Sequence, residues 1–493
     1  MSATELPLSP RTGGAARLRA LLGGAGYSLD ALKDALNLDS ELSSRAVDLA
    51  VYERRLQGRG VLGALVALFA LGRPVPRSAL AGAFSDADTE ALLGAGILAP
   101  EGGGSVRSQV RVMPHGDLLI GSDPIADTTD ADHVTGINAP ASLLAALTPR
   151  QPVEATLDLG CGNGIQAVLA ARHSRRVVAT DVNPRALAYT EFNAALNAVD
   201  HVETRLGSLF EPVAGELFDL IVSNPPYVIS PESELTYRDS GRGPGAMCAE
   251  IVGSVPRHLR PGGMAVVLVS WGHGSAQEPA EPVRAWLPAG VDSWLLHYQS
   301  EDPLVHAAKW NREINDPAAF GAAVDRWVAH CRAEAIDRVA YGAMVMRRRE
   351  DDQVGWLRVD SLRVGGGLAG RQVARIFAAE DFLRRDGADS RLIDARLRLV
   401  PEHRLEQVLT CTAEGWRLAS SVLSLSEGIA FRGELEPGPA QLLAALAAGQ
   451  PVGAAIDSTA VQLDVPAKER TAFRSSGIAM TRRLLELGFL ELG

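Results

Sequence analysis

From residue 151 to about 350 the sequence alternates short strand-like runs with helical stretches, and no other feature narrows the possible folds as much. Strand-like runs lie at 155–159, 176–180, 202–206, 218–222 and 265–270, with helical patterns at 165–172 and 185–197 between the first of them. Parallel strands need crossovers of that kind, so the pattern predicts a parallel sheet wrapped on both faces. Two further extended runs, 291–299 and 339–346, flank a helical stretch at 317–333. They predict a closing hairpin with an antiparallel last strand.

In open α/β sheets, chemistry sits at the carboxyl ends of strands. The first strand runs into Leu157-Asp158-Leu159-Gly160-Cys161-Gly162-Asn163-Gly164, where glycines allow a tight turn and let a ligand press against backbone. The second ends in Asp181, an acid placed to accept both hydroxyl hydrogens of a ribose; capping of the helix at Pro184 is compatible with that role. A dinucleotide loop would want Gly at position 165, where Ile165 stands. With no basic residue in the turn, a ligand carrying ribose but no pyrophosphate fits better. The run 218–222 stops at Asn224-Pro225-Pro226-Tyr227. Asn224 and Pro225 offer carbonyl oxygens and Tyr227 offers a flat face, together a receptor for a planar amino or amide nitrogen.

These three motifs, in this order, resemble a class I S-adenosylmethionine-dependent methyltransferase of the Asn-Pro-Pro-Tyr, small-domain type. That group is similar to enzymes that methylate amino groups of nucleic-acid bases or the glutamine amide of peptide-chain release factors. The resemblance covers about a third of the chain and implies a Rossmann-like seven-stranded sheet. It also implies S-adenosylmethionine as methyl donor, held by Asp158, Gly160, Gly162, Gly164, Asp181, Ser208 and Asn224. Asn224, Pro225 and Tyr227 become the catalytic set. Ser208, in the run 206–212 that resembles the third-strand loop of the glutamine enzymes, stands where the family has an acid contacting adenine. Tyr237 and Arg238 read as exposed loop residues before they read as substrate contacts.

The resemblance does not extend to the flanks, which carry no motif that points to a family. Residues 1–122 read as a helical, winged-helix-like domain, with helices at 61–71, 77–84 and 86–93, Ser85 as a cap, and a strand at 105–113. Residues 123–150 form a linker or lid, in which Asp130-Ala131-Asp132-His133 reads as a solvated loop before it reads as a metal site. The catalytic domain is expected over 151–350. An α+β region follows at 351–437, with strand-like runs at 396–400, 405–412 and 416–423, and a second winged-helix-like unit at 438–493.

The net charge of −11 is concentrated around the site, with 10 basic against 16 acidic residues in 151–299. That balance counts against tight duplex binding. Cys161, Cys248, Cys331 and Cys411 lie far apart and suit a reducing cytoplasm, and neither a membrane span nor a metal is expected. RNA is the favoured substrate, because two winged-helix-like flanks suggest a polymer. Protein glutamine and a small molecule or peptide are alternatives, as is a non-catalytic nucleic-acid binder whose sheet senses a ligand.

Overall fold

The computed structural model describes residues 14–38, 46–125, 130–232, 243–350, 355–363, 367–435 and 437–493. The chain divides into two compact units, Met1–Leu144 with Gln151–Asp360, and Ala145–Arg150 with Ser361–Gly493.

The first unit holds an eight-stranded sheet. Numbered from its first strand, it contains β1 (Val153–Leu159), β2 (Ser174–Asp181), β3 (Val202–Leu206), β4 (Phe218–Ser223), β5 (Leu259–His273), β6 (Val291–Glu301), β7 (Arg338–Arg348) and β8 (Leu357–Ser361). Their spatial order is 8-6-7-5-4-1-2-3. Strands 3-2-1-4-5 run parallel, and β7 inserts antiparallel between β5 and β6. The seven expected strands are present, and β8 extends the sheet past β6, where the Ser293 N–H donates to the Trp356 carbonyl (2.8 Å).

The helices used below are α1 (Ile165–Ala170), α2 (Pro184–Leu196), α3 (Ala246–Ser254), α4 (Pro303–Trp310) and α5 (Pro317–Ala333). The order reverses between β1 and β4, so the loops after these two strands diverge and open a crevice. Both strands are buried on both faces, which explains their continuous apolar runs: Leu157 pairs with Ile221 on one side and Val178 on the other. Register brings Leu159 level with Ser223, and the Ser223 hydroxyl donates to the Leu159 carbonyl (2.8 Å). The glycine loop and the Asn-Pro-Pro-Tyr loop therefore leave the sheet side by side.

In the front segment, helix Asp86–Gly94 carries the expected Ser85 cap, completed by Asp88 into a reciprocal capping box. The helix expected at 61–71 is α-helical over Gly60–Leu65 and widens to a π turn over Val66–Ala70. Of the helix expected at 77–84, only a 3-10 turn, Arg77–Leu80, is helical. The strand expected over 105–113 divides into Ser105–Ser108 and Arg111–His115, in different sheets, because the Ser108 hydroxyl bonds the Val110 carbonyl and turns the chain. The second piece pairs with Leu118–Ser122 in a hairpin. Along that hairpin the Asn193 amide of α2 bonds both backbone groups of Gly121 (2.6 and 2.9 Å), and Asn197 does the same for Leu119 (3.0 and 2.7 Å). The apolar core of the front segment continues into Ala186, Tyr189, Phe192 and Leu196 of α2.

The second unit has its own core, with Leu397, Leu446, Ile456 and Leu490 among its fully buried members. Strands His403–Thr412 and Gly415–Leu425 pair as a hairpin, Leu397–Leu399 pairs with Leu490–Leu492, and helices span Pro437–Ala447, Val452–Gln462 and Arg470–Glu486. Among the described residues no helix is long and apolar enough to cross a membrane.

Candidate functional site

A cavity of about 270 Å3 opens at the reversal point. Its floor is the glycine loop. Gly162 has a φ of +54°, a conformation that costs an L side chain strain, and its N–H donates to Asp181 Oδ2 (2.9 Å). Oδ1 of Asp181 accepts from the Asn183 N–H (2.9 Å). Asn183, not Asp181, caps α2, by accepting from the Arg185 N–H. Both Asp181 oxygens thus accept from backbone N–H groups, with that of Val182 also contributing, and an ionised carboxylate has lone pairs left for a ligand hydroxyl. Burial raises the Asp181 pKa, against the lowering effect of those N–H groups.

Asp158, 1% exposed at the end of β1, also lines the cavity. Burial pushes its pKa up to about 7; the Ala167 N–H (2.9 Å) opposes the rise and the Asp181 charge adds to it. Ser208 lines the cavity from the loop after β3, which the Gly207 N–H ties to the Asp181 carbonyl (3.0 Å).

Residues 133–136 and Asn138, Pro140 and Ala141 form a second wall. Three side chains fasten this segment to the sheet: Asn183 donates to the Asp132 carbonyl (2.8 Å), Asn163 to that of Thr135 (3.0 Å) and Gln166 to that of Ala141 (2.8 Å). At its entry, burial works to raise the Asp123 pKa, but hydrogen bonds from Arg185, Tyr189 and the Val134 N–H outweigh it and hold the carboxyl below its ordinary range. Among the described residues no group of three or more His, Cys, Asp or Glu side chains is placed to hold a metal ion.

The third wall is Asn224, Pro225, Pro226, Tyr227 and Val228, with Met247 and Ile251 of α3 and Trp310 of α4. Tyr227 is only 9% exposed. The Ser270 hydroxyl bonds its carbonyl, and its ring meets Tyr341 edge-on at 6.4 Å. Burial holds its phenol pKa well above the ordinary value, with the Tyr298 hydroxyl as a neighbour.

Of the sequence-derived set, Asp158, Gly160, Gly162, Asp181, Ser208, Asn224, Pro225 and Tyr227 line this one cavity. Gly164 stands outside the lining. It faces α2 instead, where a Cβ would come within 2.7 Å of Thr190 Oγ1. Tyr237 and Arg238 lie outside the described residues. The 133–141 wall falls in the segment expected as a linker or lid, whereas sequence reasoning did not single out Trp310 or Met247; the signal for Trp310 was an aromatic four residues after His306, following an Asp302-Pro303 helix start.

Residues 135–275 match the family model described as "Methyltransferase small domain". Residues 24–109 and 374–491 match models described as "Domain of unknown function (DUF7059)" and "Domain of unknown function (DUF7782)". A release factor glutamine methyltransferase of Xylella fastidiosa (strain Temecula1) is 39% identical over 132 residues, covering 24% of this chain and 48% of that protein. One of Cereibacter sphaeroides is 37% identical over 140 residues, covering 26% and 50%. The chain spans about half the length of the curated relatives it matches. The solved structure of Trm5b from Pyrococcus abyssi is 16% identical, covers 51% of this chain and 62% of that one, and has a TM-score of 0.30. The sheet segment is a class I methyltransferase domain of the small-domain type.

Proposed function

With a methyltransferase small domain as the premise, we propose that the chain transfers a methyl group from S-adenosylmethionine to the side-chain amide nitrogen of a protein glutamine. The observation that carries this reading is the placement of Asn224 and Pro225 on the same cavity as Gly162 and Asp181.

The residues fit the donor. Asp181 has lone pairs left for two ribose hydroxyls, the glycine loop leaves backbone open to a ligand, and Asp158 supplies a carboxylate for an ammonium group. When bound, S-adenosylmethionine supplies a methyl group activated by its sulfonium. The acceptor side has the harder task, because the lone pair of an amide nitrogen is delocalised. The Asn224 side-chain carbonyl and the Pro225 carbonyl accept its two hydrogens, which favours pyramidalisation and aims the lone pair at the methyl carbon. Fixed alignment then lowers the barrier, and the same two oxygens stabilise positive charge growing on nitrogen. The product nitrogen loses its proton readily, so no strong base is required.

A glutamine amide is favoured over a nucleic-acid base by the similarity of the matched segment to release factor glutamine methyltransferases and by the acidic excess around the site. The base reading keeps one observation in its favour: the front segment sets helices against a short three-stranded antiparallel sheet, as a winged helix does. The deciding experiment is incubation with methyl-labelled S-adenosylmethionine and, separately, purified release factors, ribosomal RNA and transfer RNA. Label on a glutamine supports the proposal, label on RNA replaces it with the base reading, and no transfer to any of them overturns it.

A further inference from the structure

Behind the third wall lies a hydrogen-bond chain through Trp310, Tyr341 and His306. The Trp310 indole N–H can only donate, and it points to the Tyr341 hydroxyl oxygen (3.0 Å). A carbonyl can only accept, so His306 Nε2, 2.7 Å from the Ile229 carbonyl, carries the proton. His306 Nδ1 lies 2.7 Å from the Tyr341 hydroxyl and 3.4 Å from Glu301 Oε1, so the second ring nitrogen ties the helix to Tyr341. The chain runs from the wall of the cavity to the backbone two residues past Tyr227.

Local structure sets each link. Asp302 caps α4 by accepting from the Leu304 and Val305 N–H groups, with Pro303 in the first turn. His306 and Trp310, four residues apart, share one face of the helix and turn it to β7. His306 is fully buried. Lys309 sits over the Tyr341 ring at 4.9 Å and the Trp310 ring at 5.8 Å, and its ammonium is 3.6 Å from Glu301. On β6 the register slips between His297 and Gln299, so Tyr298 is the extra residue of a bulge, a device that re-aims a side chain. It stacks on Tyr341 with ring centroids 6.3 Å apart.

Trp310 is thus a half-buried indole that lines the cavity and is held from behind. Tyr227, the sequence-stated stacking face, is nearly enclosed, its ring against Tyr341. Building on the methyl-transfer reading, we propose that Trp310 is the face on which the planar acceptor group packs, and that Tyr341 and His306 are positioning residues. They fix the indole plane and tie it to the Asn-Pro-Pro-Tyr loop, so the stacking wall and the hydrogen acceptors keep one geometry. A flat sp2 group, amide or base, is the ligand class such a wall selects.

The test measures steady-state methyl transfer to the acceptor identified by labelling, release factor or RNA, alongside calorimetric binding of S-adenosylhomocysteine. Trp310→Leu keeps apolar bulk without a ring, and Trp310→Phe keeps a ring without the N–H. The expected result is an acceptor KM raised about 10-fold in Trp310→Leu and about 3-fold or less in Trp310→Phe. Tyr341→Phe, which retains the ring and deletes the relay, is expected to raise acceptor KM about 3- to 10-fold with kcat within about twofold. S-adenosylhomocysteine affinity stays at the wild-type value in all three. Equal KM in Trp310→Leu, Trp310→Phe and wild type removes Trp310 from the acceptor site, because a space-filling role does not distinguish leucine from phenylalanine in this way. A Tyr341→Phe effect confined to S-adenosylhomocysteine affinity overturns the positioning role. Failure of the methyl-transfer reading shows separately, as a wild-type protein that labels no acceptor, and takes this inference with it.

Discussion

The two working walls of the cavity are built in opposite ways. On the reading proposed above, the donor wall comes from the loops at the ends of β1 and β2, and its hydrogen bonds span at most 19 positions: Asp181 to Gly162 and Asn183, Asp158 to Ala167. The acceptor wall draws on β4, β5, β6, β7 and α4, with Tyr227, Ser270, Tyr298, Tyr341, His306 and Trp310 spread over more than eighty positions. A wall made from two neighbouring loops is specified by motif. A wall made from five elements is specified by packing, and it can be retuned for another acceptor without touching the donor motif.

That contrast makes distinct demands on variants. The largest effect is expected from Asn224→Ala, which removes one preorganised acceptor: turnover should fall by about 100-fold or more while S-adenosylhomocysteine affinity stays within about twofold. An equal loss in both would show that the two walls are not separable. Asp181→Ala should do the reverse, weakening donor binding by about 2 to 3 kcal/mol through loss of two charge-assisted hydrogen bonds, as calorimetry reads directly. Unchanged affinity would remove Asp181 from the donor wall.

Asp158 gives a smaller, pH-dependent signature. Its folded pKa, raised to about 7 from an ordinary 3.8, means the folded protein without ligand binds a proton more tightly than the unfolded chain does. Its contribution to stability is therefore fully present below about pH 4 and lost as pH rises through about 7. Melting temperature without ligand should fall over that window, and Asp158→Asn should flatten this part of the profile. A cationic donor needs the carboxylate, so affinity should instead rise through about pH 7 in wild type and stay flat in Asp158→Asn. The smallest effect is expected from Tyr227→Phe, which keeps the ring and its contact with Tyr341: acceptor KM should move by about threefold or less. A larger change would give the Tyr227 hydroxyl a role that the enclosed ring does not suggest.

The sheet was legible because its strands are buried on both faces and its loops carry their motifs within a few residues of a strand end; 218–222 was readable as β4 from Phe218, Ile221 and Val222 followed by two prolines. Asp181 and Gly162 were proposed the same way, and both line the cavity. Trp310, Tyr341 and His306 were not, since nothing in a sequence says that a residue of a helix after β6 meets one in β7. The bulge at Tyr298 inverts the alternation that sequence reasoning relies on. At Gly164 the glycine motif carries a packing constraint that the sequence does not announce, the close approach of α2 at Thr190.

The asparagine ladder on α2 bears on how such a chain can be recombined. Asn193 gives its carboxamide to Gly121 of the front hairpin and also to the Asn163 carbonyl of the donor loop, at 2.7 Å. A chimera that exchanged everything before residue 123 for a foreign leader would take the hairpin partners from Asn193 and Asn197, leaving them the Asn163 and Asn193 carbonyls, and lay Tyr189 and Phe192 open to water. Each hydrogen bond lost is worth about 0.5 to 1.5 kcal/mol, and four of them are a large share of the margin a domain of ordinary stability has. Grafts that respect this ledge carry the hairpin and α2 together, as a single inheritance.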